Sequence, residues 1–456
     1  IKIELKCRCS NIELILHRPQ SYDLEDTMRT TPLKLGIAGL GTVGSGVIKM
    51  LNKNATLLSA RAGRQIIVSA VSARSRSKER GIDLSGIDWE DDPVALARRA
   101  DVDVLVELMG GSEGPAKEAT LAAISSGKDV VTANKALLAI HGHSLALAAE
   151  KVGQVIRFEA AVAGGIPVVK TLTEGLAGNR IDRILGVMNG SCNYILTRME
   201  TSGLSYNEIF AEADALGYLE ADPNLDVGGI DAAHKLALLA AIAFGKKVNF
   251  ASVVVEGIGA ITTEDINAAA DMGYRVKLLG VSQMTELGLE QRMTPCLVSA
   301  SSPLGQLEGG TNMVILEGQD SGQIVLRGAG AGEGPTASAV LSDIIDIARG
   351  QRMDTFGQPA SSLLDAKPAT ATTSAPFYLR LQLLDKLGAL ARIAAIMGEA
   401  NISIDRMRQY GHDTDSAPVL IVTHRTTRNA IDQILTEFSK TKLLGSTPVA
   451  LRIESI

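Results

Sequence analysis

The sequence predicts an α/β fold class: a doubly wound parallel sheet, a second α+β unit, and a small ferredoxin-like unit at the C-terminus. Three observations carry this. From residue 33, short apolar runs alternate with helical patterns, the order that builds a parallel sheet covered by helices. A Gly39-Leu-Gly41-Thr-Val-Gly44 turn stands between the first apolar run and the first helical pattern. Roughly the last 80 residues follow a βαββαβ order.

Taken in order, residues 1–29 mix Cys7, Cys9, His17 and balanced charge without periodicity, and are expected to form a non-native or disordered leader. The spacing of Cys7, Cys9 and His17 matches no standard zinc pattern. A first unit over residues 30–155 opens with a strand at Leu33–Gly39 and a helix from Val43. Ile66–Val71, Val102–Leu108 and Asp129–Thr132 are its later strands. A second unit over residues 156–350 contains a strand at Ile184–Met188 and helices at Tyr194–Met199 and Ile230–Phe244, the latter closed by Gly245. Its glycine-rich turn, GAGAGEGPTASAV at 328–340, precedes a helix to about Ala348 that returns to the first unit. Residues 351–375, rich in Pro, Ala, Ser and Thr, have the composition of a linker. The last unit, 376–456, has strands at Phe377–Leu384, Ile402–Tyr410, Val419–His424 and Val449–Ile453, with helices at Leu387–Ala400 and Ala430–Lys440. It reads as a separate domain.

Composition narrows the function classes. The 456 residues carry 45 Lys+Arg against 51 Asp+Glu, a formal net charge of −6, which lacks the basic footprint of a nucleic-acid binder. Aromatic residues make up 3%, too few for stacking platforms along a single strand. At 46% hydrophobic residues the chain can bury a sizeable core. Four cysteines, at 7, 9, 192 and 296, are too few and scattered for a disulfide framework. No apolar run approaches the roughly 18 residues of a membrane span, and no continuous apolar signal region is present. A reduced, cytoplasmic protein that makes no use of membranes is expected. The 45 glycines are a tenth of the chain, and they gather in turns between apolar runs.

The turns are where chemistry is expected. Gly39 permits a tight turn, Gly41 lets the backbone approach a pyrophosphate, and Gly44 lets helix and strand pack closely. Between a strand and a helix, this is the dinucleotide fingerprint of a Rossmann-type unit. A site preferring NAD would place an acid at the end of the second strand. This chain has Ser72-Ala-Arg74-Ser-Arg76-Ser-Lys78, with no acid before Glu79. Guanidinium groups suit a 2′-phosphate, which favours NADP with NAD still possible; a surface basic patch is the alternative. Thr132-Ala-Asn134-Lys135 ends a strand at the ligand edge, where Lys135 is either a ligand contact or a solvated loop lysine.

The densest group is GYLEADPNLDVGGIDAAHK, with Tyr218, Glu220, Asp222, Asp226, Asp231 and Lys235. Asp231 and Lys235 are i,i+4 and can meet on one helix face. Carboxylates crowded at the helix start would attract an ammonium, and Lys235 could exchange a proton with a reacting alcohol or aldehyde. Phe158-Glu159 followed by AVAGGIP offers a carboxylate and a turn of carbonyls, either a hard-cation site or a structural turn. Cys192 leaves open a thioester-forming aldehyde dehydrogenase, for which a histidine partner (His141, His143 or His234) would be needed. A third class is an amino-acid sensor that keeps the fold without catalysis.

GLGTVGSGV, TANKALL, FEAAVAGGIPVVK, MNGSCNYIL, ALGYLEADPNLDVGGIDAAHK and GAGAGEGPTASAV, in this order, resemble homoserine dehydrogenase in its longer bacterial form. The resemblance spans residues 33–456 and includes an ACT domain, carried by Asp385-Lys-Leu-Gly388 and Asn401-Ile402-Ser-Ile. It implies NAD(P)-dependent interconversion of L-homoserine and L-aspartate 4-semialdehyde, and a substrate-binding and dimerisation role for the second unit. By position, Lys235 would be the proton donor and acceptor. Glu220 and Asp231 would hold the substrate ammonium, Tyr218 and Asp226 would shape the pocket, and Lys135 would touch cofactor and substrate. Thr42, Val43, Gly330 and Gly332 would embrace the cofactor. Glu159 with Val162, Gly164 and Ile166 would hold sodium. Gly388, Asn401 and Ile402 would cradle an effector, threonine being the usual one, in a homodimer or homotetramer.

Overall fold

A computed structural model describes residues 31–219, 222–369, 373–409 and 415–456. The predicted leader, with Cys7, Cys9 and His17, lies outside the described residues. Strands β1 (Leu33–Ala38), β2 (Ile66–Ser72), β3 (Asp88–Glu90), β4 (Val104–Glu107), β5 (Asp129–Thr132) and β6 (Ile156–Arg157) form one parallel sheet in the order β3-β2-β1-β4-β5-β6. This is the doubly wound order. Its reversal between β1 and β4 opens a crevice at the carboxyl ends of the strands. Every residue of β4 and β5 is buried, because helices cover both faces of the sheet. The helix Glu333–Arg349 returns from the second unit and packs on the helix Thr42–Lys53. Contact is close: a Cβ on Gly46 would lie 2.6 Å from Glu333 Cγ.

The second sheet is built from β7 (Ile181–Val187), β8 (Val254–Val255), β9 (Tyr274–Thr285), β10 (Gly288–Ser299), β11 (Thr311–Gly318), β12 (Gly322–Ala329), β13 (Phe377–Leu384), β14 (Ile404–Gln409), β15 (Ser416–Thr423) and β16 (Val449–Glu454). Its order is β12-β11-β7-β9-β10-β16-β13-β15-β14, with β8 paired to β10. The helix Ile230–Phe244 lies on β9 and β10 and is apolar on nearly every side, as a helix buried between layers must be.

The C-terminal unit has the expected ferredoxin-like order, β16-β13-β15-β14, and its sheet is continuous with that of the second unit. β16 pairs in parallel with β10, Cys296 opposite Arg452 and Val298 opposite Glu454, so two sheets become one. Two buried ionic clusters lock the join. Asp265, fully buried in the helix Thr263–Asp271, accepts from Tyr378 Oη at 3.0 Å and Arg380 Nε at 2.7 Å. Glu454 accepts from Arg292, from Arg452 Nε at 3.0 Å and from Arg183 at 3.1 Å. Apolar periodicity identifies a strand without naming the edge it joins, which is why this fusion was not expected.

Residues 351–369, read as linker, are packed onto the body. Phe356 is buried with its ring 5.7 Å from that of Phe158, and Arg352 forks onto Asp129 at 2.8 and 2.7 Å. Leu364 and Pro368 form isolated bridges to Lys246 and Leu289. Among the described residues, no helix is long and apolar enough to cross a membrane.

Burial alone would raise the Glu454 carboxyl, but Arg292 and Arg452 hold it below the ordinary value of 4.5. A depressed carboxylate confers stability that is present above its unfolded pKa and lost as the pH falls through its folded one. Glu454→Gln is therefore expected to destabilise the protein by about 3–5 kcal/mol near neutrality, because buried arginines lose their counter-charge. Urea unfolding of both proteins at pH 7 and pH 4 checks this; the difference should shrink on acidification.

Candidate active site

At the end of β1 the three fingerprint glycines do three different things. Gly39 has φ of 105°, and a Cβ there would lie 2.5 Å from Leu108 O. A Cβ on Gly44 would lie 2.0 Å from Gly39 O, so this glycine closes the helix onto the strand. A Cβ on Gly41 would meet no protein atom within 4 Å. It would project into open space, so the backbone here stays free for a pyrophosphate to approach. These residues fit a dinucleotide.

The loop after β2 presents no acid at its start. Arg74 is exposed there and does not line the cleft. Arg76 and Arg80 instead lie over the ring of Trp89, at 5.9 and 5.6 Å, and Arg80 Nε donates to Leu40 O at 3.0 Å. Trp89 was missed in the sequence, although the chain's single tryptophan close to an arginine-rich loop is a readable signal.

A cleft of about 630 Å³ runs between the two sheets. Thr42 and Val43 line it from the first unit, and Gly330 and Gly332 from the turn before the returning helix. Its floor is a row of charges. Asp231 Oδ2 lies 2.7 Å from Lys235 Nζ, and Asp231 Oδ1 lies 2.8 Å from Lys135 Nζ. Lys235 Nζ also donates to Met188 O at 3.0 Å. Burial would raise the Asp231 carboxyl, but the Lys235 and Lys135 ammonium groups more than offset it and hold it well below the usual carboxylate range. Each Asp231 oxygen thus faces a lysine, one from its own helix and one from the first unit.

Each charge is held by its element. Asn134 caps the helix Lys135–Lys151 by accepting from Leu137 N at 3.0 Å, which sets Lys135 at the mouth of the helix. Below it, Thr132 Oγ1 accepts from Asn134 N at 2.9 Å and donates to Glu107 at 2.7 Å. Glu107 is fully buried at the end of β4, and burial pushes its carboxyl up. The motif search missed it because a lone acid closing a strand carries no spacing. Asn189 caps the helix Gly190–Ser202 and donates to Asp226 at 2.8 Å and Asp231 at 3.4 Å. Tyr218 stacks on Tyr194 with centroids 4.2 Å apart and lines the cleft beside Asp226. Glu220 lies outside the described residues.

The nucleophile reading of Cys192 fails on geometry. Its thiol is buried, donates to Asp226 O at 3.3 Å, and is pushed well up by burial and the nearby carboxylates. A thiolate would have no support there. His234, the neighbouring candidate in sequence, faces Phe250 at 4.3 Å.

Val162 and Gly164 reach the cleft, and their turn nests against the glycine-rich one through Gly165 N to Ala329 O at 3.0 Å. The Glu159 carboxylate accepts from Val169 N at 2.9 Å and Lys170 N at 2.8 Å. Burial and Asp343 push it up to about 7. Ile166 sits behind the turn, its carbonyl accepting from Val168 N at 2.8 Å. A hard cation here would draw chiefly on backbone carbonyls; among the described residues no group of three His, Cys, Asp or Glu could hold a metal ion. In the C-terminal unit, Gly388 precedes the helix Ala389–Glu399 with φ of 79° and Asn401 has φ of 55°. The Ile402 side chain is buried in the local core, so only its backbone could meet an effector.

A doubly wound dinucleotide sheet whose crevice ends at a buried lysine–carboxylate–lysine row defines a nicotinamide-dependent oxidoreductase. Comparison with known proteins gives the particular kind. The family model for homoserine dehydrogenase matches residues 167–345, that for the NAD-binding domain of homoserine dehydrogenase residues 39–159, and that for the ACT domain residues 377–442. The homoserine dehydrogenase of Neisseria gonorrhoeae is 42% identical, covering 93% of this chain and 99% of that one. That of Pseudomonas aeruginosa is 41% identical over the same shares. The crystal structure of a homoserine dehydrogenase from Thiobacillus denitrificans superposes with a TM-score of 0.88 at 37% identity, covering 93% of this chain and 99% of that one. A hyperthermophilic archaeal homoserine dehydrogenase mutant in complex with NADPH has a TM-score of 0.59 at 27% identity, covering 69% and 97%. The chain belongs to the homoserine dehydrogenase family.

The glycine geometry separates binding from folding. Gly41→Ala is expected to weaken NADPH binding at least about tenfold with an unchanged melting temperature, since its Cβ meets only the space the pyrophosphate needs. Gly44→Ala should lose about 1–3 kcal/mol of stability as well. Calorimetric titration with NADPH and thermal denaturation of both variants read the two effects apart.

Proposed function

We propose that the cleft interconverts L-homoserine and L-aspartate 4-semialdehyde with Lys235 moving the proton at the substrate oxygen. One observation carries this reading: Lys235 Nζ is fixed at the cleft floor by Asp231 at 2.7 Å and Met188 O at 3.0 Å. When bound, the nicotinamide supplies a hydride to, or accepts one from, the carbon bearing that oxygen. An ammonium so held gives its proton as an aldehyde becomes an alcohol and takes one back in the reverse direction. Lys135 shares the same carboxylate, so it keeps the floor cationic and reaches both ligands. Glu220 and Asp231 would hold the substrate ammonium, and Tyr218 and Asp226 bound the pocket beside them.

Thr42, Val43, Gly330 and Gly332 would hold the dinucleotide. The absence of an acid at the end of β2, and the arginines beyond it, favour NADP over NAD. Arg74 is exposed on the same loop, free to turn toward a 2′-phosphate. The carbonyls of Val162, Gly164 and Ile166, beside Glu159, would take sodium. Residues 30–155, 156–350 and 376–456 then divide cofactor binding, substrate binding with dimerisation, and regulation. Threonine is the proposed effector at Gly388, Asn401 and Ile402. A homodimer or homotetramer is favoured by β12, an edge strand of the second sheet with alternate residues exposed. We place the enzyme in the cytoplasm.

Lys235→Ala is expected to lower kcat by about 10²–10⁴-fold while NADPH binding persists. Near-normal turnover in this variant would sink the proton-transfer role. Steady-state rates with NADPH and NADH, each with and without threonine, test the remaining assignments. NADPH should give the higher kcat/KM. If saturating threonine neither slows turnover nor shifts the melting temperature, the effector assignment goes.

A further inference from the structure

Asn312 stands near the start of β11 on the cleft wall, and its side chain is 1% exposed. Among the described residues, its Oδ1 has no hydrogen-bond partner. Buried amide oxygens are nearly always paired, because one left without a donor destabilises the fold. On the wall of a ligand cleft, such an atom marks where a ligand N–H belongs.

Its surroundings say which ligand. The Asn312 amide lies against Gly330: a Cβ there would fall 1.9 Å from Nδ2 and 2.7 Å from Oδ1. A Cβ on Gly190 would fall 3.4 Å from the same oxygen. Glycine at both positions leaves room for the amide, and the space it occupies is shaped for it. Gly330 leads into the helix Glu333–Arg349, which packs on the helix that follows the fingerprint. The orphan oxygen is thus tied to the dinucleotide side of the cleft. The carboxylates Asp226 and Asp231 gather instead around Asn189. An ammonium gains most from the carboxylates, which leaves the amide carbonyl beside the glycine-rich turn for a neutral N–H.

We propose that Asn312 Oδ1 accepts a hydrogen bond from the carboxamide N–H of the nicotinamide, and so determines which way the ring lies in the cleft. This rests on the dinucleotide reading of the cleft. Asn312 then distinguishes a ring carrying a carboxamide from one whose substituent has no N–H.

The probe is 3-acetylpyridine adenine dinucleotide phosphate, in which a methyl replaces the amide nitrogen and the carbonyl is kept. Its Kd and that of NADP⁺ are measured by calorimetry on the full-length wild type and on Asn312→Ala. Wild type is expected to bind the analogue about tenfold more weakly than NADP⁺. Asn312→Ala should lose about the same factor for NADP⁺ and bind the two alike. Equal Kd values for both dinucleotides in wild type would overturn the proposal, whatever the variant does. So would a loss in Asn312→Ala that is the same for both, or a change confined to homoserine affinity. If wild type binds neither dinucleotide, the cleft reading itself falls, and that result is distinct from equal binding of both.

Discussion

Everything in the site is arranged around one carboxylate between two ammonium groups. Asp231 and Lys235 stand on a helix of the second unit, while Lys135 comes from the end of β5 in the first. The ion triad therefore joins the two halves of the molecule across the cleft. Removing charges from water is costly, and such a row persists only where each member is hydrogen-bonded. The carbonyl of Met188 accepts from Lys235, and Asn189 Nδ2 donates to Asp231. The two lysines outnumber the acid they share, so the row itself carries a net positive charge.

Much of this arrangement was legible because it is local. The strand Asp129–Thr132 and the helix Ile230–Phe244 came out at their observed bounds. The first is a short apolar run between a glycine and a cap, and the second is closed by a left-handed Gly245. The fingerprint glycines and the Asp231–Lys235 spacing are likewise properties of a few consecutive residues. Glu107 and Asn312 were not legible. Each matters through a partner distant in sequence: Glu107 through Thr132, Asn312 through Gly330. Composition marked residues 351–375 as linker, yet apolar residues within that stretch, Phe356 and Leu363, found a surface to bury against. Asp231 shows the same limit from another direction: its spacing announces Lys235 but not Lys135, the lysine from the first unit that its other oxygen faces.

The C-terminal unit also contacts the segment that packs behind the cleft. Arg428, at the start of the helix Arg428–Lys440, pairs with Glu256 at 3.3 Å. Two residues on, Ile258 N donates to Val227 O at 3.0 Å, next to the pocket residue Asp226. The last unit is thus connected through packed backbone to a residue that lines the cleft. No long-range linkage across solvent is required.

The parallel pairing of β10 with β16 also bears on how the molecule is made. β16 inserts between β10 and β13, and it follows every other strand of that sheet in the chain. Until it emerges from the ribosome, β10 and β13 each present an open edge, and the arginines at 183 and 292 await their shared glutamate. Closure then joins residues 296 and 452, a separation that makes the step slow relative to local pairing. The nascent enzyme has a fingerprint turn and a lysine row long before its central sheet can be sealed. Its period of exposure to aggregation is set by the last strand to arrive.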